Sequence, residues 1–327
     1  MPSLLDMTDV PMTNILEKCD FKSVLTLRKV CHDLRNFIDD ANFETDLDII
    51  NIEFRREHYR ASKGNMDRCA TSLTSKSSDT YDSERTTPDD LKILLNLQNS
   101  KLYSFNVSYR EMVDSPGRGE ICRRESLFEN PGTLDDLERI LKNKTRPLKT
   151  EHVEIEVWRG SDVLKVFPHL DSKVLKSIRI ECTAYPSRPP KLEEIGTIME
   201  LDQFKNASEL TIDGFPVDAD LKKFFHFEYI SVRFEKIPFE DLVALKEAFT
   251  TFPHMKCFVL ILNYRMDRVQ FEREFGAPAE FGSLFRTWYL KIGSSKDYIL
   301  KISRNTLHLT FERINVDEIG ENVMVRD

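Results

Sequence analysis

The chain has 327 residues, 40% hydrophobic and 31% charged, a balance that lets a globular protein bury its core without disulfides or metals. Lys and Arg total 47 against 55 Asp and Glu, a formal net charge of −8, which argues against a chain whose task is to coat nucleic acid or an anionic membrane. The longest purely apolar run, Cys257 to Leu262, is far short of a membrane span, and Asp6 and Asp9 in a start without a basic-then-apolar leader argue against a secretory signal.

In chain order, Val10 to Cys19 predicts a short helix with apolar residues at 12, 15, 16 and 19. Asp20 offers an N-cap for a second helix from Phe21 to about Leu27, and a third is expected from about Lys29 to Asp39, with Val30, Cys31, Leu34, Phe37 and Ile38 on one face. Three such helices cannot enclose a core of their own, so this apolar set either packs on the rest of the chain or waits for a partner. Ile50, Ile52 and Phe54 alternate with Asn51 and Glu53, which predicts a strand. Residues 61–87 are polar and rich in Ser and Thr, and are expected to be a flexible loop.

From Thr87-Pro88-Asp89-Asp90, a capped helix start, helices and strands alternate. Strands are expected at Leu102–Tyr109, around Val153–Val157, Ile178–Ile180, Leu210–Ile212, Ile230–Phe234 and Cys257–Leu262. Helical patterns lie at 132–142, 162–167, 192–204, 219–225 and 241–252. Most of these strands carry one charged face, unlike a doubly wound parallel sheet covered on both sides. The expected class is therefore α/β, an irregular leucine-rich-repeat-like β/α stack whose strand centres step by 25, 32, 20 and 28 residues from Ile155 to Leu260. Three antiparallel strands at 288–292, 298–303 and 307–314 are expected to cap it.

Catalytic and metal signatures are absent. Gly117-Arg118-Gly119 lacks the strand-to-helix setting of a phosphate loop, and the six cysteines, at 19, 31, 69, 122, 182 and 257, have no zinc-site spacing. Cys31 and His32 are adjacent, so on a helix they do not face each other. The basic cluster Lys142, Lys144, Arg146 and Lys149 has no interleaved aromatics and fits a solvated helix end. No cofactor and no catalytic residue is expected.

The first forty residues resemble an F-box. Met7-Thr8-Asp9-Val10-Pro11-Met12, Ile15-Leu16, Cys19-Asp20-Phe21 and Leu27-Arg28-Lys29-Val30-Cys31-His32-x-Leu34 follow the family pattern, with Met7-Thr8 where Leu-Pro usually stands and Leu34 where Trp is commonest. The wording of 21–38 is similar to the large nematode-type family that joins an F-box to an FTH domain. Residues 132–270 resemble that FTH domain, from Leu137-Glu138-Arg139-Ile140-Leu141-Lys142 to Phe239-Glu240-Asp241-Leu242 and Leu245. The resemblance implies a three-helix F-box at 1–40, a connecting segment at 41–131, the FTH-like domain at 132–270 and C-terminal strands at 271–327. It implies a non-enzymatic protein, the substrate receptor of an SCF-type ubiquitin ligase, with an F-box scaffold without ubiquitin transfer or an enzyme whose site is assembled from scattered residues as the alternatives. The singly placed cysteines and the absent leader add the expectation of an intracellular protein of the cytoplasm or nucleus. A Skp-type adaptor would bind Met7, Ile15, Leu16, Leu27, Val30, Cys31 and Leu34, and would link the chain to a cullin–RING ligase. A target protein would dock on the polar strand positions Glu154, Glu156, Arg179, Glu181, Thr211, Asp213, Ser231, Arg233 and Glu235, whose acidic excess suits a basic surface. Neither nucleic acid nor membrane is expected as a partner.

Overall fold

Helices are favoured where a side chain can accept the first free backbone amides; the second and third helices follow that rule, while Thr8 before the first makes no such bond. The structure is a computed structural model that describes residues 8–41, 43, 45–58, 65–113, 132–182, 190–262, 264, 266–281, 285–293, 295–319 and 323–326. Helix α1 (Asp9–Leu16) carries Pro11 in its first turn, where a missing amide costs little. Helix α2 (Phe21–Leu27) starts at Asp20, whose carboxylate accepts from the Ser23 amide at 2.6 Å. Helix α3 (His32–Asp40) starts later than its apolar pattern predicts, because Cys31 takes the cap and its sulfur accepts from the Leu34 amide at 3.5 Å.

The chain divides into two compact units, residues 1–175 and 176–327. After α1–α3 the first unit contains β1 (Leu47–His58), β2 (Asn65–Ser75), β3 (Thr80–Ser83), α4 (Pro88–Leu97), β4 (Leu102–Val113), α5 (Gly132–Lys142), β5 (Thr150–Val157) and the single turn α6 (Gly160–Val163). Its strands lie in the order β5-β4-β1-β2-β3, the first three parallel and the last two antiparallel. Ile50, Ile52, Phe105, Val107, Val153 and Ile155 fill the buried face, as do the inner residues of α4 and α5. Thr87 and Asp90 cap α4 reciprocally, as the Thr-Pro-Asp-Asp start predicts.

The Ser/Thr-rich stretch departs from expectation. Residues 61–64 lie outside the described residues, but 65–75 and 80–83 are strands, paired in register from Ser72 with Asn51 to Tyr81 with Leu73. Thr is β-branched and favours strands. Alternation buries Cys69, Thr71 and Leu73, while the Thr71 and Thr86 hydroxyls meet at 2.9 Å. The amides of 69–74 should therefore be protected in hydrogen exchange by orders of magnitude over an unstructured peptide. Exchange at the free-peptide rate would overturn the pairing.

The segment joining α3 to β1 is tied down. Thr45 donates to the Gln98 amide oxygen at 2.5 Å, Gln98 donates to the Ser100 hydroxyl and carbonyl at 2.9 Å, and all three residues are buried. Phe43 is buried, the Phe21 amide donates to Asp46 at 3.2 Å, and the Lys76 amide donates to the Asp46 carbonyl at 2.8 Å. The Tyr81 hydroxyl reaches Asp20 at 3.4 Å. Beyond β5, Lys165 is ion-paired to the buried Asp162 at 3.1 Å and to Asp135 at 2.7 Å.

The second unit contains β6 (Ser177–Cys182), α7 (Ile195–Glu200), α8 (Asp202–Asn206), β7 (Glu209–Val217), β8 (Tyr229–Phe234), α9 (Phe239–Thr251), β9 (Cys257–Leu262), α10 (Arg268–Phe275), β10 (Glu280–Phe281), β11 (Arg286–Lys291), β12 (Tyr298–Arg304), β13 (His308–Asn315) and β14 (Val325–Arg326). Strands β6 to β9 are parallel neighbours in chain order. The expected antiparallel trio is present as β11–β12–β13 and joins the sheet through β13 beside β9. Two helical patterns came out shorter than expected: 192–204 breaks into α7 and α8, and 219–225 is a single 3-10 turn over Leu221–Phe224. Helix α10 and the two-residue strands β10 and β14 have no counterpart in the sequence reading. The many Phe residues pack edge to face, with Phe204 against Phe227 at 5.0 Å and Phe224 against Phe234 at 5.4 Å.

Arg313 on β13 closes the end of α9, donating to the carbonyls of Met255, Phe249 and Phe252. Those carbonyls have few other donors at a helix end. Arg313→Ala should cost about 2 kcal/mol in chemical denaturation, and Lys, which lacks the planar fork, should recover less than half of it. An unchanged midpoint would show that water replaces the guanidinium without loss.

Candidate partner-binding surfaces

Of the residues expected to meet an adaptor, Met7 lies outside the described residues. Leu16 and Leu34 are only 1% and 4% exposed, with Met12, Phe21, Val24 and Ile38 also buried. These two are core residues, a correction to the sequence reading. Both lie on the apolar helix face, and the inner part of that face is used up in holding the helices together. Val30 is 65% exposed in the turn between α2 and α3, and Ile15, Leu27 and Cys31 are half-buried. Val10, 70% exposed at the start of α1 and out of phase with buried Met12 and Leu16, was not among the residues expected. Arg28 holds α2 to α3 through a two-pronged contact with Asp39, at 2.6 and 2.8 Å. The arrangement presents apolar side chains on short helices whose inner faces are already satisfied, which suits binding rather than chemistry.

A family model of the F-box domain matches residues 4–46, and one of the FTH domain matches residues 132–279. The chain has the F-box plus FTH architecture. No curated protein matches it. Both domains are protein-interaction modules rather than enzyme families. F-box domains typically bind a Skp-type adaptor in SCF complexes, and the F-box match suggests a substrate-receptor or protein-interaction role.

The FTH match spans the end of the first unit and most of the second. On β5, Glu154 and Glu156 are half-buried and alternate with buried Val153, Ile155 and Val157. In the second unit Arg179, Thr211 and Ser231 lie in one cross-strand row, and Glu181 pairs with Asp213 in the next. Arg233 and Glu235 are half-buried, while Arg179 and Asp213 are exposed. The alternation is as expected, but the charge is more balanced than the residue count implied. Arg179 contacts Glu181 at 2.7 Å, and Lys191, which the sequence reading left out, contacts Glu235 at 2.7 Å. The same face also carries an apolar stretch. Cys257, Val259 and Ile261 of β9 are half-buried, with Val259 beside Ser231 and Thr310. A six-residue run apolar in both phases was the signal.

Chemistry is sparse elsewhere. Burial pushes the thiols of Cys69 up to about 12 and Cys257 up to about 11, so neither is a nucleophile at neutral pH. Burial, with Arg146 nearby, lowers Lys144 to about 8, and its ammonium lies 3.4 Å from the Asn99 side-chain oxygen. Among the described residues no three His, Cys, Asp or Glu side chains are placed to hold a metal, and no helix is long and apolar enough to cross a membrane. A cleft at the carboxyl ends of β8 and β9 is lined by Lys236, Phe239, Glu240, Tyr264, Asp267 and Gln270. The Tyr264 hydroxyl is spent on the backbone of Ile237, at 3.0 and 2.8 Å, and Asp267 is spent capping α10.

Proposed function

We propose that the chain is the substrate receptor of an SCF-type ubiquitin ligase: its F-box binds a Skp-type adaptor and through it a cullin–RING assembly, and the rest of the chain holds a target protein. The observation that carries this is the F-box match at 4–46 together with Val10, Ile15, Leu27 and Val30, apolar side chains of that segment left partly or largely exposed. The reading takes α1–α3 as a three-helix F-box and the β/α alternation after 132 as an irregular leucine-rich-repeat-like stack. It places the protein inside the cell, in the cytoplasm or nucleus. The chain would contribute proximity alone, raising the concentration of target lysines near the thioester that another subunit carries. On the target side, the half-buried stripe Cys257, Val259 and Ile261, flanked by Ser231 and Arg233 on β8 and by Thr310 and Glu312 on β13, supports an apolar contact with a polar rim. A second reading, an F-box scaffold without ubiquitin transfer, rests on the same residues.

Reconstitution separates the two. The purified chain is mixed with a Skp-type adaptor, cullin, RING subunit, conjugating enzyme and ubiquitin. Capture of the complete ligase with ubiquitin passed to a protein held by residues 132–327 supports the receptor; capture of the adaptor alone, without cullin, supports the scaffold. No adaptor capture overturns both.

A further inference from the structure

The edge of the second unit's sheet is closed by two very short pieces. Strand β11 pairs on one side with β12. On the other side β10 covers Thr287 and Arg286, and β14 covers Tyr289 and Leu290. Beneath the C-terminal segment lie Tyr289, Ile299 and Ile314, buried against Ala279, Ile319, Val323 and Val325, which are themselves only partly buried. Val323 and Val325 face this cluster, while Met324 between them is 63% exposed. Next in the chain, Arg326 lies over Gly276. Gly276 has φ +80°, and any side chain there would collide with the guanidinium. The Gly276 carbonyl is held by the Trp288 indole at 2.8 Å. A sheet edge, three apolar side chains and a glycine over which a long side chain can lie are thus matched to one sequence pattern: apolar, any residue, apolar, then a long side chain, here Arg326.

We propose that this edge of β11 is an acceptor site for an extended segment of a second protein with that pattern, and that residues 323–326 are its resident occupant. Two paired residues make a weak strand, of the kind drawn from the low-stability end of a structure. Main-chain pairing with pockets for alternate side chains is how added strands are recognised. The resident strand competes at the roughly millimolar effective concentration of a short tether. Chains that retain it should bind an incoming segment much more weakly than chains relieved of it. The inference does not use the adaptor reading, and its test contains no adaptor, so the two fail separately.

The test keeps the full chain during folding. A protease site replaces residues 320–322, the purified protein is cut, and a labelled peptide with the sequence of residues 321–327 is added. The expected result is exchange of the cut segment for the labelled peptide. Binding should be saturable, at least tenfold weaker to the uncut chain, and lost when the peptide's arginine is replaced by alanine or its sequence is scrambled. Gly276→Ala should weaken the peptide by a similar factor while leaving the circular dichroism unchanged. If the cut segment never exchanges, or if its release unfolds the unit, it is a structural strand and the proposal falls. Equal binding to cut and uncut chains, or of the scrambled peptide, also overturns it.

Discussion

Val30→Asp combined with Ile15→Asp should abolish capture by a Skp-type adaptor while leaving the chain folded. Val30 is 65% exposed, and a surface substitution of this kind usually costs about 0.5 kcal/mol or less; Ile15 is half-buried and its change costs more, but Met12, Leu16 and Leu34 still hold the inner faces of the helices. At an interface the same positions carry far more, because a buried anchor contributes about 2 kcal/mol or more and a carboxylate adds desolvation. Two such losses weaken binding about a thousandfold. Leu34→Ala should behave in the opposite way. Leu34 is 4% exposed, and truncating a buried leucine costs about 2 to 5 kcal/mol. It should loosen the helices first and affect the adaptor only through them. A folded Val30/Ile15 double variant that still captures the adaptor would remove the proposed surface.

The second large effect belongs to a buried charge. Lys165→Ala should destabilise the first unit by about 3 kcal/mol, because it strands the Asp162 carboxylate, 6% exposed, without its partner at 3.1 Å. Asp162→Leu with Lys165→Met should recover most of the loss, since replacing both charges removes the desolvation as well as the attraction. Burial works against the charge on Lys165, but Asp135 and Asp162 outweigh it and hold its pKa above the ordinary lysine value. This stabilisation is complete below the unfolded pKa and is lost as pH rises through the folded one, so it is constant across the physiological range. Urea titrations of wild type, the Lys165 variant and the double variant decide the matter; a single variant as stable as wild type would mean that Asp162 is rehydrated at no cost.

The sequence was most legible where local chemistry is self-sufficient. Asp20 before Phe21 and Thr87 before Pro88 announce helix starts because the capping group is adjacent in the chain. The charged alternation of 153–157, 178–181 and 230–234 announces strands because side-chain direction has a period of two. Errors arose where the deciding partner is distant. Residues 71–74 are a strand because β1 lies beside them, a pairing that a count of Ser and Thr does not contain. Leu16 and Leu34 carry the same apolar signal as Val30, and only packing separates those turned inward from those left outside. The charge around the polar strand positions was misjudged for a related reason, since Lys191 reaches Glu235 from another part of the fold.

The buried bonds among Thr45, Gln98 and Ser100 have a geometric consequence. They fix Thr45 to the turn between α4 and β4, and with the Phe21 amide bound to Asp46 next to it they tie the start of α2 to the sheet of the first unit. A receptor of this build would choose lysines by angle as well as by reach. Replacing Thr45, Gln98 and Ser100 with alanine would loosen that tie without touching the adaptor contact: affinity for the adaptor would be unchanged, and the choice of modified lysines on a bound protein would broaden.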